Sequence, residues 1–128
     1  MSTIENRYKI NQILTKGGFG TIFSGYDLIF NTKVAIKVED KEKYLNKESI
    51  IYDLLENEKY MAKKIDYFIE NNKSYLIMPL YFYSCDRLLK MNEIYFTEKD
   101  ILMLSIQILQ QLNILHKRGI IHNDIKPE

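Results

Sequence analysis

Three groups of residues have types and spacing suited to chemistry. Gly17, Gly18 and Gly20 fall in one short stretch, Thr15-Lys16-Gly17-Gly18-Phe19-Gly20-Thr21-Ile22. Glycines let main-chain N–H groups approach phosphate oxygens that a Cβ would obstruct, and Phe19 at the tip is placed to exclude water. Lys37 ends the tetrapeptide Val34-Ala35-Ile36-Lys37. An ammonium on an otherwise apolar strand needs an anion to offset its desolvation, and bound phosphate or Glu48 supplies one. Farther on, Ile121-His122-Asn123-Asp124-Ile125-Lys126-Pro127-Glu128 gathers a histidine, an aspartate and a lysine.

Taken singly, each group has a plainer reading. Gly17 to Gly20 also reads as a glycine-rich hairpin turn with no ligand. Lys37 reads as a strand-end lysine reaching water, and Glu48 as a solvated helix charge. His122-Asn123-Asp124 reads as a surface turn. Order and placement are what join them.

The elements that must position these residues follow from patterning. Tyr8 to Leu14 leads into the glycine cluster and Thr21 to Tyr26 leads out, the form of a β-hairpin. A loop around Asn31-Thr32 precedes Lys33 to Val38, whose β-branched residues suit a buried strand. Asp40 to Lys43 is a charged, solvated turn. Tyr44 to Glu56 has helical spacing in Leu45, Ile51 with Ile50, Leu54 and Leu55. Ile65 to Ile69 and Ser74 to Met78 are strand-like on either side of a turn, Glu70-Asn71-Asn72-Lys73. Three strands, a helix and two strands result.

A long helix follows. Thr97 as N-cap with Asp100 forms a capping-box signal, and the helix is predicted to run to about Lys117, with Gly119 as its stop. Ile101, Leu104, Ile108, Leu112 and Leu115 share one face, whereas Leu102, Met103 and Ile114 point elsewhere. A helix apolar on several sides expects cover from several directions.

Composition narrows the function classes. The 128 residues are 46% hydrophobic and 27% charged, with a formal net charge of +1. That balance argues against nucleic acid as a partner, since binders of the phosphate backbone carry a clustered basic excess. Cys85 is a single cysteine and cannot form an internal disulfide, which suits a reducing compartment. The polar start from Met1 to Arg7 lacks the apolar core of a signal peptide. The longest apolar run, Tyr75 to Tyr83, contains Pro79 and falls short of the ~20 residues that span a bilayer. A cytoplasmic or nuclear protein, neither secreted nor membrane-spanning, is expected.

The three groups together resemble the eukaryotic-type serine/threonine protein kinases. The glycine stretch is close to G-x-G-x-x-G-x-V, with Thr15 in place of the first glycine. Val34-Ala35-Ile36-Lys37 matches V-A-I-K letter for letter, and His122-Asn123-Asp124-Ile125 follows H-R-D-L with Asn123 where arginine is usual. The matches occur in the family's order and elements, over Tyr8 to Glu128. Glu48-Ser49-Ile50-Ile51-Tyr52 is similar to the casein kinase one group.

The resemblance implies an α+β fold. An N-lobe of a five-stranded antiparallel sheet plus one helix is expected over about 8–78, a hinge over 79–83, and the first helices of a C-lobe over 84–128. It implies ATP as cofactor, held by Leu14, Thr15, Lys16, Gly17, Gly18, Phe19, Gly20, Thr21, Ile22, Ala35, Lys37 and Glu48. Leu14, Ile22 and Ala35 would clamp adenine. Met78 falls at the gatekeeper position, and Pro79-Leu80-Tyr81 at the hinge that reads the adenine edge. Pro79 has no N–H, but that position offers its carbonyl. Asp124 takes the place of the aspartate that accepts the substrate hydroxyl proton, and Lys126 that of the lysine that steadies the phosphoryl group.

The family pattern also includes an asparagine and a D-F-G aspartate that bind magnesium. Counting from Asp124 under H-R-D-L-x-x-x-N, the asparagine would come immediately after Glu128. Mg2+ is thus expected for the family while residues 1–128 supply none of its ligands. These residues alone are expected to be a truncated, inactive, pseudokinase-like piece. The alternative is a non-catalytic module that binds nucleotide, or a partner protein through the helix 97–117. Asn123 lacks the charge with which arginine pairs with a phosphorylated activation loop.

Overall fold

The computed structural model describes residues 3–18, 20–40, 44–91 and 95–127. The chain folds as two compact units, Met1–Tyr81 and Phe82–Glu128. In the first, strands β1 (Thr3–Ile4), β2 (Tyr8–Gly17), β3 (Gly20–Asp27) and β4 (Thr32–Asp40) precede helix α1 (Leu45–Leu54). Strands β5 (Asp66–Glu70) and β6 (Lys73–Pro79) follow it. The sheet is antiparallel in the order β1-β2-β3-β4-β6-β5. It contains the five strands read from the pattern, with the two-residue β1 added along β2.

Local chemistry explains the turns. Glu70 pairs with Lys73, and Asn71 and Asn72 between them have φ of 50° and 61°. Two successive positive φ values match the twist of a tight hairpin, and asparagine tolerates them. Between β3 and β4, buried Asp27 accepts the N–H groups of Ile29 (3.0 Å) and Phe30 (3.3 Å). Strand β2 has register shifts between Ile10 and Ile13 and between Ile13 and Thr15. There the Ser24 hydroxyl takes the N–H of Gln12 at 3.4 Å and donates to its carbonyl at 3.3 Å, so a side chain replaces ladder bonds.

Alternation along β4 sends its residues to two different environments. Val34 and Ile36 are fully buried with Ile4, Tyr8, Tyr75 and Ile77, and Phe23, Val38 and Phe68 pack against that cluster. Tyr8, Phe68 and Tyr75 stack in sequence at 5.9 and 5.1 Å. At one end of the cluster Arg7 binds Asp27 at 2.8 Å, and the Tyr8 hydroxyl donates to Asp66 at 2.9 Å. Hydrogen bonds from Arg7 hold the Asp27 carboxyl below its ordinary range, against the opposing effect of burial. The opposite face of the sheet, carrying Ala35 and Lys37, lies beside α1.

The second unit contains α2 (Cys85–Lys90) and α3 (Glu98–Lys117). Ser84 caps α2 by accepting the N–H of Arg87. Thr97 and Asp100 form the reciprocal capping box, and Gly119 beyond the end of α3 has φ of 72°. Leu115 is buried, whereas Ile101, Leu102, Met103, Ile106, Ile108 and Leu109 are exposed. No helix among the described residues is long and apolar enough to cross a membrane.

Candidate functional site

Strand register assembles the candidate residues of the first unit. Ile22 on β3 lies opposite Lys37 on β4, and Ser24 lies opposite Ala35. On the other side of β4, Ala35 pairs with Met78 and Lys37 with Leu76. Directly opposed residues share a face, so Ile22, Ala35, Lys37, Leu76 and Met78 form one surface. It is apolar except for Lys37 and the buried Ser24. Leu76 is fully buried, Ala35 is buried, and Ile22 and Met78 are half-buried.

Helix α1 borders this surface. Lys37 Nζ donates to Glu48 Oε2 at 2.6 Å, with the lysine side chain 17% exposed and the glutamate 34%. One turn on, the Tyr52 hydroxyl donates to the Met78 sulfur at 3.5 Å. Burial, then the Glu48 carboxylate, push the Tyr52 phenol up to about 12. The spacing of Glu48 and Tyr52 by four residues puts both on one helix face. That spacing is the signal that could have marked Tyr52 in the sequence.

The glycine hairpin brings Gly17 opposite Gly20 and Lys16 opposite Thr21. Gly20 has φ of 107°, and a Cβ there would lie 2.4 Å from the Val38 carbonyl oxygen. Its need for glycine is therefore built into the packing. Around Gly17 and Gly18 a Cβ would meet nothing within 4 Å, so their main chain lies open to a ligand. Thr15, Lys16 and Leu14 are exposed, and Thr21 is half-buried. Phe19 lies outside the described residues. At the end of the unit Pro79 is half-buried and Tyr81 is 68% exposed.

ATP fits these residues. Lys37 has three N–H donors and among the described residues its hydrogen bond goes to Glu48 alone, so donors remain for phosphate. The apolar Ile22, Ala35 and Met78 provide a surface for a flat base. Among the described residues no group of three His, Cys, Asp or Glu side chains could hold a metal ion.

In the second unit, residues 120–127 run as an irregular segment after α3. The Asp124 N–H donates to His122 Nδ1 at 3.2 Å, and Lys126 Nζ lies 3.4 Å from Asp124 Oδ2. Both side chains of that pair are about half exposed or more, 65% for Asp124 and 49% for Lys126. Asn123 has φ of 60°. Asparagine enters the left-handed region at lower cost than most side chains, a conformational role beside its lack of charge. The Pro127 carbonyl accepts the N–H of Asp86, which ties the segment to the first turn of α2.

Several residues that hold the site were invisible to motif reading. Glu39, buried at the end of β4, accepts the N–H groups of Tyr44 and Leu45 at the start of α1. Lys63 donates to the carbonyls of Leu55, Glu56 and Glu58 just past its end. Gly25 faces Ile36 so closely that a Cβ would lie 2.4 Å from Ile36 Cδ1 and 2.8 Å from the Lys9 carbonyl oxygen.

Comparison with known proteins matches residues 8–128 to the protein kinase domain. A "Probable serine/threonine-protein kinase" of Dictyostelium discoideum is 32% identical over 130 residues, covering 98% of this chain and 26% of that protein. A "Probable casein kinase I homolog" of Encephalitozoon cuniculi is 28% identical over 126 residues, covering 94% of this chain and 40% of that protein. The chain thus spans less than half the length of either relative.

Proposed function

This chain belongs to the protein kinase domain family, and we propose that its residues serve transfer of the ATP γ-phosphate to a serine or threonine hydroxyl of a protein. The observation that carries the reading is the 2.6 Å pair of Lys37 and Glu48 beside the apolar Ala35–Met78 pair. An ammonium fixed in place by a carboxylate is a preformed holder for phosphate oxygens. Main-chain N–H groups at Gly17, Gly18 and Gly20 cradle the phosphates, and Leu14, Ile22, Ala35 and Met78 hold the base. Thr15, Lys16 and Thr21 complete the glycine turn, and Pro79 and Tyr81 flank the base edge.

Asp124 accepts the proton of the substrate hydroxyl as that oxygen bonds to the γ-phosphorus and the bond to the β-phosphate oxygen breaks. Lys126 offsets charge on the transferring group. The proteins similar to this chain carry serine/threonine and casein kinase I names, which supports a hydroxyl acceptor. Magnesium supplies charge neutralisation in this family. Among the described residues no group of three metal-ligating side chains could hold it.

A second reading is favoured by the exposed apolar residues of α3. Under it, these residues form a non-catalytic nucleotide- or protein-binding module, and the helix 97–117 is its contact surface. Nucleotide-induced thermal stabilisation tests both. ATP should raise the unfolding temperature of the wild type, and Lys37→Ala should abolish the rise. Stabilisation that survives Lys37→Ala would refute the proposed lysine–phosphate contact. Leu102→Glu and Leu109→Glu would abolish association under the module reading and leave ATP stabilisation unchanged.

A further inference from the structure

We propose that Lys64 is a positioning residue that sets the rotation of helix α1 and thereby keeps Glu48 on Lys37. Lys64 Nζ donates to the Ser49 hydroxyl at 2.6 Å, to the Ser49 carbonyl at 3.3 Å and to Asp53 Oδ2 at 2.7 Å. Ser49 and Asp53 are four residues apart and so occupy one stripe of the helix. Ser49 is buried at 2% exposure, and the Lys64 side chain is 20% exposed. The Ser49 contact is therefore built into the unit, whereas Asp53, 58% exposed, adds a solvated ion pair to it.

The helix needs such a clamp. Of its residues Leu45 to Leu54, only Leu45 and Ser49 are buried, and Ile50 and Leu54 are exposed. An apolar stripe this short does little to define rotation about the helix axis. Polar ties take over that task. Glu39 holds the N-terminus through two amides, Lys63 holds the carbonyls just beyond the C-terminus, and Lys64 grips the middle. The end charges complement the helix dipole. The middle contact bears on the site, because Ser49 follows Glu48 directly. Adjacent helical positions differ by about 100° of rotation, so Glu48 fixed to β4 and Ser49 fixed to Lys64 together leave α1 one angular setting.

This inference rests on the reading of Lys37 and Glu48 as the phosphate-holding pair, and its test avoids nucleotide altogether. The 1–128 chain is trace-labelled with an amine-acylating reagent, and modification of Lys37 is measured by mass spectrometry against that of Lys73, whose side chain is 49% exposed. Glu48→Gln defines the level reached when the pair is lost. Lys64→Met should raise Lys37 labelling toward that level by roughly tenfold, the scale of a lost charge-assisted hydrogen bond on a local opening. Ser49→Ala should move it in the same direction, Lys73 should not change, and Lys64→Arg should restore protection.

Unchanged Lys37 labelling in a folded Lys64→Met or Ser49→Ala chain would overturn the proposal. So would a parallel rise at Lys37 and Lys73, which would mark Lys64 as a general stability residue. If Lys64→Met does not fold, Ser49→Ala decides by the same criteria. A wild type that ignores ATP would sink the proposed function and leave the labelling result standing.

Discussion

Glu39 and Leu45 are joined by a hydrogen bond of 3.0 Å, from the first amide of α1 to a carboxylate at the end of β4. The same oxygen accepts the N–H of Tyr44 at 2.9 Å, and Tyr44 itself provides no side-chain cap. A strand residue thus does the work usually done by the residue preceding a helix. Glu39→Ala should destabilise the chain by about 1–2 kcal/mol, since it strands two amides at a buried helix start. Urea unfolding measures this, and a change within experimental error would mean that water caps the helix equally well.

The Arg7–Asp27 pair makes a prediction about acid. The Asp27 carboxyl titrates below its ordinary value because Arg7 donates to it. A depressed folded pKa contributes stability above the unfolded value, near 3.9, and loses it as pH falls through the folded value. Asp27→Asn should therefore cost roughly 2 kcal/mol at neutral pH. It should also flatten the decline in stability below about pH 4. An unchanged acid limb would assign that decline to other carboxylates.

Tyr52 makes the mirror-image prediction in alkali. Its phenol is pushed from 10.0 up to about 12, first by burial and then by Glu48. A raised folded pKa gives stability that is complete below the unfolded value and lost as pH rises through the folded one. Tyr52→Phe should reduce the loss of stability between about pH 10 and 12. Part of the slope should remain, because the Tyr8 and Tyr75 phenols are also raised. Identical slopes in the two proteins would show that Tyr52 ionises freely.

The glycines divide into two kinds. Gly20→Ala should unfold or strongly weaken the hairpin, because its Cβ would press on the Val38 carbonyl at a φ of 107°. Gly17→Ala meets open space and should change stability by no more than about 0.5 kcal/mol. If main-chain N–H groups there cradle phosphate, Gly17→Ala should still weaken ATP stabilisation. Equal ATP stabilisation in wild type and Gly17→Ala would remove Gly17 from the nucleotide site.

Sequence alone determined what depends on neighbours along the chain. Asn71-Asn72 specified a tight turn because those side chains tolerate positive φ, and Thr97 with Asp100 specified a helix start because their hydrogen bonds are local. The β-branched residues of Lys33 to Val38 specified a buried strand, and the V-A-I-K match marked Lys37 within it. The order of glycine turn, lysine strand and His-Asn-Asp segment carried the family resemblance.

Only the tertiary structure decided which distant groups meet. Arg7 reaches Asp27, Tyr8 on β2 reaches Asp66 on β5, a strand it does not pair with, and Gly25 admits the Ile36 side chain, all contacts made by packing between elements. The short β1 had no pattern of its own and forms because Ile4 finds a place in the core. No pattern in the sequence marked Lys63 and Lys64, yet they hydrogen-bond to α1 and the carbonyls just past its end. Periodicity records how much of an element is buried. It does not record which partner satisfies a buried polar group, since that depends on the register between elements and not on spacing within one.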